Sequence, residues 1–66
     1  MDIQDLKEKL LDIERQLKQT HMEFTKYQGS IKPEDRQKSI EALERMSLLE
    51  SQKANIEADI RALEDE

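Results

Sequence analysis

Residues 27–33 read Tyr-Gln-Gly-Ser-Ile-Lys-Pro and contain the only glycine and the only proline of this 66-residue chain. Gly29 suits the left-handed backbone position that follows many helices, and Pro33 suits the first turn of a new helix, where its missing N–H is not needed. This stretch therefore predicts a break between two helices. The pattern leaves the N-cap of the second helix open between Ser30 and Lys32, of which lysine is the poorer capping residue.

Before the break, apolar or semi-apolar side chains recur at alternating spacings of three and four residues over four heptads. Such a seam is typical of a helix that packs along one face, with Ile3 at a heptad a position and Leu6 at a d position. The seam positions are Ile3, Leu6, Leu10, Ile13, Leu17, Thr20, Phe24, Tyr27 and Ile31. The spacing predicts a first helix over about residues 2–28.

After the break, no glycine or proline interrupts the chain, and the larger side chains again follow a heptad spacing. They are Ala42, Met46, Leu49, Lys53, Ile56, Ile60 and Leu63. The pattern predicts a second helix over about residues 33–65, joined to the first by a turn at 29–32. Because a short connection makes two such helices antiparallel neighbours, we expect residues 1–66 to form a single all-α domain, a coiled-coil-like antiparallel two-helix hairpin.

Folding the chain at this turn pairs seam positions whose residue numbers add up to about 62, as an antiparallel hairpin requires. Leu6 then faces Ile56, and Ile13 faces Leu49. Lys53 is the exception within the seam; we expect its methylenes to lie along the seam and its ammonium to reach water, with a role in setting the register as the alternative. The predicted hairpin core comprises Ile3, Leu6, Leu10, Ile13, Leu17, Phe24, Met46, Leu49, Ile56, Ile60 and Leu63.

A second, weaker stripe follows the side of the second helix that lies roughly opposite its seam. Chains of this size usually need more than their own core for stability, so we expect this stripe to bind another helix. The predicted partner interface comprises Ile40, Leu43, Ser47, Ala54, Ala58 and Ala62. It predicts a homodimer in which two hairpins form a four-helix bundle, or docking of another helical protein; the alternative is a monomer whose alanines merely favour helix.

The composition excludes several classes of function. Eleven basic against sixteen acidic side chains give a net charge of −5, without the positive surface that direct nucleic-acid binding needs. There is no cysteine for a disulfide or thiol site, and no apolar run is long enough to span a bilayer. The start of the chain lacks the features of a signal peptide, and its acidic helices do not suit a membrane surface. We therefore expect a cytoplasmic protein that does not bind membranes.

Catalytic chemistry is not expected. His21 is the only imidazole, it flanks the seam, and a two-helix hairpin offers little concavity for a catalytic or metal site. The carboxylates alternate with basic residues along exposed faces, which does not isolate an acid/base pair. The sequence therefore predicts no enzyme activity, catalytic residue, cofactor, metal or small-molecule substrate.

After these exclusions, the favoured hypothesis is a non-catalytic protein–protein interaction module. Such a module would be an adaptor, a scaffold or a small chaperone-type subunit that acts through helix–helix packing. An enzyme accessory subunit would have the same pattern. The layout is loosely similar to small hairpin subunits such as prefoldin-like chaperones and the co-chaperones of bacterial type III secretion needles, from which no residue role is transferred. The alternative is an acidic, viral-type inhibitor that blocks a basic groove by mimicking nucleic-acid phosphates, with Glu57, Asp59, Glu64, Asp65 and Glu66 as the phosphate surrogates.

Overall fold

The computed structural model describes residues 2–65 of the chain as two α-helices that pack against each other. Helix α1 spans Ile3–Tyr27 and helix α2 spans Pro33–Glu64. The Cα atoms extend over 52 × 14 × 14 Å, so the hairpin is a thin rod. The fold is all-α, as the two heptad patterns predict, and no strand is present among the described residues.

The ends of α1 are closed by local hydrogen bonds. Asp2 is the N-cap residue, and its Oδ1 accepts a hydrogen bond of 3.0 Å from the backbone N–H of Asp5. This bond satisfies one of the amides that the first turn leaves without an intrahelical partner. At the other end, the backbone N–H of Gln28 donates to the carbonyl oxygen of Phe24 at 2.8 Å, after which Gln28 adopts an extended conformation.

The loop between the helices uses the glycine and the proline as the sequence predicts. Gly29 has a φ of +82°, the left-handed conformation that glycine adopts without strain, and Pro33 occupies the first turn of α2. Lys32 is the N-cap residue of α2 and makes no side-chain capping bond. Ser30 supports this start instead, because its Oγ accepts from the Lys32 N–H at 3.2 Å and donates to Asp35 Oδ2 at 2.9 Å.

The seam of each helix faces the other helix. Among the described residues, the buried apolar side chains are Leu6, Ile13, Ala42, Leu49 and Ile60, and the half-buried apolar seam residues are Ile3, Leu10, Leu17, Phe24, Met46 and Ile56. Thr20 is 3% exposed, and its hydroxyl donates to the carbonyl oxygen of Gln16 at 2.7 Å. Leu63, a predicted core residue, is 37% exposed because it lies at the open end of the hairpin, where α1 begins.

The register of the two helices differs from the predicted one by about one turn. The Lys38 ammonium lies 5.0 Å from the centre of the Tyr27 ring, and Arg45 Nη1 lies 3.9 Å from Glu23 Oε2; these pairs of residue numbers add up to 65 and 68. If facing residues have numbers that add up to 66, every seam position within α1 faces an a or d position of α2, and Leu6 faces Ile60. The predicted total of about 62 was wrong, because it placed the fold point of the chain within residues 29–32, whereas a total of 66 places it at Pro33.

The extended residues Gln28 and Lys32 explain this shift, since they lengthen the loop and let α2 begin beyond the last turn of α1. The observed register also accounts for Ile60, which is 8% exposed although it lies only one turn from the end of α2. A second correction concerns Ile31. Its spacing places it on the seam, but it lies in the loop and is 88% exposed.

Candidate interaction surface

The heptad positions of the two helices define two different flanks of the hairpin. Around an α-helix the e position adjoins a, and the g position adjoins d, so an antiparallel pair has its two e edges on one side and its two g edges on the other. Glu23 and Arg45 both occupy g positions, and their side chains approach each other across the helices at 3.9 Å. This contact confirms that the g edges share one flank, and it leaves the e edges together on the opposite flank.

Burial along the seam is uneven, and the unevenness follows these flanks. Five of the six buried seam residues occupy d positions: Leu6, Ile13, Thr20, Ala42 and Leu49. The a positions are only half-buried, with the exception of Ile60; they are Ile3, Leu10, Leu17, Phe24, Ser39, Met46 and Lys53. Because a positions adjoin the e edges, the core is less covered on the e side than on the g side.

We name this less covered flank the side face. Its centre is formed by the half-buried apolar residues at a positions, and its edge on α2 continues into Leu43 and Ile40, which are both exposed. Leu11 lies at the edge on α1 and is also exposed. The apolar members of the side face are Ile3, Leu10, Leu17, Phe24, Met46, Ile40, Leu43 and Leu11.

Shallow grooves lie on both flanks: on the g side one is lined by Ile13 and Ile56 and another by Ala42, each among polar residues, and two lie on the side face. One groove of the side face lies toward the open end and is lined by Leu10, Glu57, Ile60 and Arg61. The other lies near the loop, and its lining includes Arg36, Ser39 and Ile40. Each groove therefore exposes apolar side chains from the seam or its edge together with charged groups.

The opposite flank is polar. Its g positions carry only charged or amide side chains: Lys9, Gln16, Glu23, Lys38, Arg45, Gln52 and Asp59. Within residues 2–65, Arg45–Glu23 is the one ion pair closer than 4.0 Å, and both side chains are more than half exposed. Such a pair contributes little to stability, so this flank is a solvated surface. Leu48 at a c position and Leu63 at a d position are the exposed large apolar residues that adjoin this flank in the described part of the chain.

The six residues of the predicted partner interface are all exposed on α2. Their heptad positions divide them into two groups. Ile40, Leu43, Ser47 and Ala54 occupy b and e positions and adjoin the side face. Ala58 and Ala62 occupy f and c positions, and the helix turns them away from it.

The side face is the surface that sequence reasoning missed. The heptad pattern treats a and d positions as equally buried, whereas in this hairpin most d positions are buried and most a positions are half-buried. A signal was present in the sequence, because Ile40 and Leu43 place apolar side chains beside the a positions while the g positions carry none. Met22 remains isolated and exposed on α1.

The aromatic residues lie at the loop end of the hairpin, where both are half-buried. The ammonium groups of Lys26 and Lys38 lie 5.3 and 5.0 Å from the centre of the Tyr27 ring, within the range of cation–π contacts. These contacts cover the ring on the g side. Phe24 lies one turn earlier at an a position and belongs to the side face.

The residues considered for chemistry are dispersed over the surface. His21 is exposed, and no group of three metal-ligating side chains is found in the part of the chain that the structure describes. Of the proposed phosphate surrogates, Glu57 and Asp59 project about 200° apart around α2, so they lie on different flanks. Glu64 and Asp65 are exposed at the end of the helix, and Glu66 lies outside the described residues.

The fold and the surface define an antiparallel coiled-coil hairpin in which the side face exposes more apolar seam surface than the opposite flank does. Within residues 2–65, no helix has the length and apolar character needed to cross a membrane. No protein-family model, curated protein or solved structure matches the chain. Functional inference therefore depends on the surface of this chain alone.

Proposed function

We propose that the protein is a non-catalytic interaction module of the cytoplasm, which acts as an adaptor, a scaffold or a small chaperone-type subunit. It binds helical proteins, including its own copies, through helix–helix packing. The observation that carries this proposal is the side face, where half-buried seam residues adjoin the exposed Ile40 and Leu43. Unpartnered apolar surfaces of this kind are typical of binding sites on small helical proteins.

The total exposed surface supports the need for a partner. The hairpin exposes 5258 Å², whereas a folded monomer of 7.8 kDa is expected to expose about 4,400 Å². Covering the exposed parts of Ile40 and Leu43 would contribute about 2 to 3 kcal/mol. That is a substantial share of the net stability of a small domain. A partner would therefore stabilise the hairpin as well as occupy its surface.

Affinity capture with the full chain tests this function. The protein is immobilised as the native sequence, as Leu43→Glu and as the control Leu48→Glu, since Leu43 and Leu48 are 53% and 60% exposed on different flanks of the same helix. We expect helical proteins to be retained by the native chain and the control but lost from Leu43→Glu. Retention should persist at high salt, because apolar packing is weakly screened.

Two outcomes would contradict the proposal. Equal retention by all three chains would show that the side face is not the binding surface. Retention of nucleic-acid-binding proteins alone, with steep release by salt, would instead favour the acidic groove-blocking inhibitor. Circular dichroism of each chain verifies that the helices are intact before the comparison is made.

A further inference from the structure

We infer that the side face is the contact surface between two copies of this chain, which close into a four-helix bundle with both loops at the same end. This inference depends on the proposed function, which it makes specific by naming the partner, the contact surface and the relative orientation. It differs from the stripe predicted by the sequence, because Ala58 and Ala62 are outside the contact and both helices contribute to it.

The area of the surface fits a second copy. The hairpin exposes about 900 Å² more than expected for its mass, and its Cα atoms extend over 52 × 14 × 14 Å. Specific protein–protein interfaces bury about 800 Å² per partner. One further hairpin of the same length would therefore cover the side face and remove the exposed area that exceeds the expected value.

The charges along the two edges of the side face favour opposite edges as neighbours. On α1 the e and b positions carry Lys7, Glu14 and Lys18 together with neutral residues, which is a formal charge of +1 with His21 neutral. On α2 the same positions have a formal charge of −1 and carry Arg36, Glu50, Glu57, Arg61 and Glu64. If α1 lies beside α1 and α2 beside α2, edges of the same net charge are neighbours. If the α1 edge of each copy lies beside the α2 edge of the other, edges of opposite net charge are neighbours.

This pairing of edges fixes the orientation of the two copies. Each α1 has an α2 neighbour in its own chain, and its neighbour across the interface must also be an α2. A twofold axis along the bundle satisfies both conditions and places the two loops at the same end. In the observed register, Lys7 then lies within two residues, or about 3 Å along the helix axis, of the level of Glu57 of the second copy, and Lys18 is equally close to the level of Glu50.

Lys53 gives this surface a means of fixing its register. It is half-buried at an a position of the side face, and in the observed register it is level with Ile13. Three e-position carboxylates surround this level: Glu50 and Glu57 on the same helix, and Glu14 across the hairpin. Pairing of two copies would enclose Lys53 among these carboxylates, and a slipped pairing would leave the ammonium against apolar residues.

The composition of the interface is tested by the mass of the native chain, Leu43→Lys and Leu48→Lys in sedimentation equilibrium. We expect twice 7.8 kDa for the native chain and for Leu48→Lys, and at least a tenfold weaker association for Leu43→Lys. A native chain that is monomeric while helical would overturn the inference. So would an association weakened by Leu48→Lys and not by Leu43→Lys.

The orientation is tested separately with the intact dimer. The chain has no cysteine, so Ile31→Cys introduces one site for a spin label in the exposed loop. Loops at the same end predict a distance between labels below about 30 Å, given helices about 10 Å apart. A distance near the 52 Å length of the hairpin would show the opposite orientation and overturn the inference.

Failure of the inference is distinguishable from failure of the proposed function. A monomer that still captures a helical protein through Leu43 would contradict the second copy as the occupant and leave the interaction function standing. A dimer that resists Leu43→Lys and also captures nothing through this face would contradict both.

Discussion

Thr20 occupies a d position of the seam, where coiled coils ordinarily carry a large apolar side chain. It is among the least exposed described residues, at 3%. Its hydroxyl is not left unpaired, since it donates to the carbonyl oxygen of Gln16 at 2.7 Å. That carbonyl also accepts the backbone N–H of Thr20 within the helix, so the hydroxyl bond is an additional one. The methyl group should therefore stabilise the hairpin more than the hydroxyl does.

A pair of substitutions at Thr20 separates these two contributions. Thr20→Val keeps the buried shape and leaves no unpaired acceptor, so we expect it to stabilise the hairpin by about 0.5 to 1 kcal/mol. Thr20→Ser keeps the hydroxyl but removes a buried methyl group, and we expect a loss of about 1 kcal/mol. Both are measured by urea denaturation at one protein concentration. A loss of stability in Thr20→Val would show that the hydroxyl bond outweighs the apolar contact.

The backbone N–H groups in the first turn of α2 lack the side-chain acceptor that those in the first turn of α1 have. Asp2 caps α1 through its carboxylate, whereas Lys32 at the corresponding position of α2 offers no acceptor. Its backbone is nevertheless extended, with φ −76° and ψ 131°, as an N-cap requires. The Ser30 hydroxyl binds the N–H of Lys32 and therefore leaves the first amides of the helix without a side-chain acceptor.

Lys32→Ser should accordingly stabilise α2. The new hydroxyl would accept a hydrogen bond from the first turn without a change in the backbone, and caps of this type contribute about 1 kcal/mol. Lys32→Ala serves as the control, because it removes the same charge and supplies no acceptor. The free energies of unfolding of the two variants are compared by urea denaturation. Equal stability of the two would show that the first turn does not need the cap.

The limits of each element were predictable from local chemistry, whereas the register between the elements was not. Gly29 and Pro33 determine where one helix ends and the next begins because φ and the missing N–H act on their own residues. The register depends on how far the loop extends, and the extended conformations of Gln28 and Lys32 have no signal in the spacing of the seam. For the same reason, the spacing predicted Ile31 as a seam residue, although the chain is not helical at that position and Ile31 lies in the loop.

The candidate surface was predictable in part. Ile40 and Leu43 stand out from the sequence because they are apolar and lie outside the seam. The exposure of Leu10 and Met46 was not predictable, because a heptad pattern gives the direction of a side chain but not the number of helices that cover it. Two helices bury five d positions of this hairpin, but they bury only Ile60 among its eight helical a positions.

For the whole molecule, association of two hairpins would couple stability to concentration. If folding and pairing are linked, a hundredfold rise in protein concentration should raise the midpoint of thermal unfolding by about 10 °C. Circular dichroism over a dilution series measures this shift. Leu48→Lys should show the same dependence and Leu43→Lys a smaller one. A midpoint independent of concentration in the native chain would indicate a hairpin that folds alone.

The greater exposure of apolar seam surface on one flank also bears on the number of copies that can assemble. A protein with apolar binding surfaces on two opposite sides can add one copy after another and form a filament. Here the opposite flank carries polar g positions, including the Glu23–Arg45 pair, and it remains exposed to water after the side face has been covered. Assembly of this chain would therefore be self-limiting and would end at a closed pair, with no free edge from which a fibre could start.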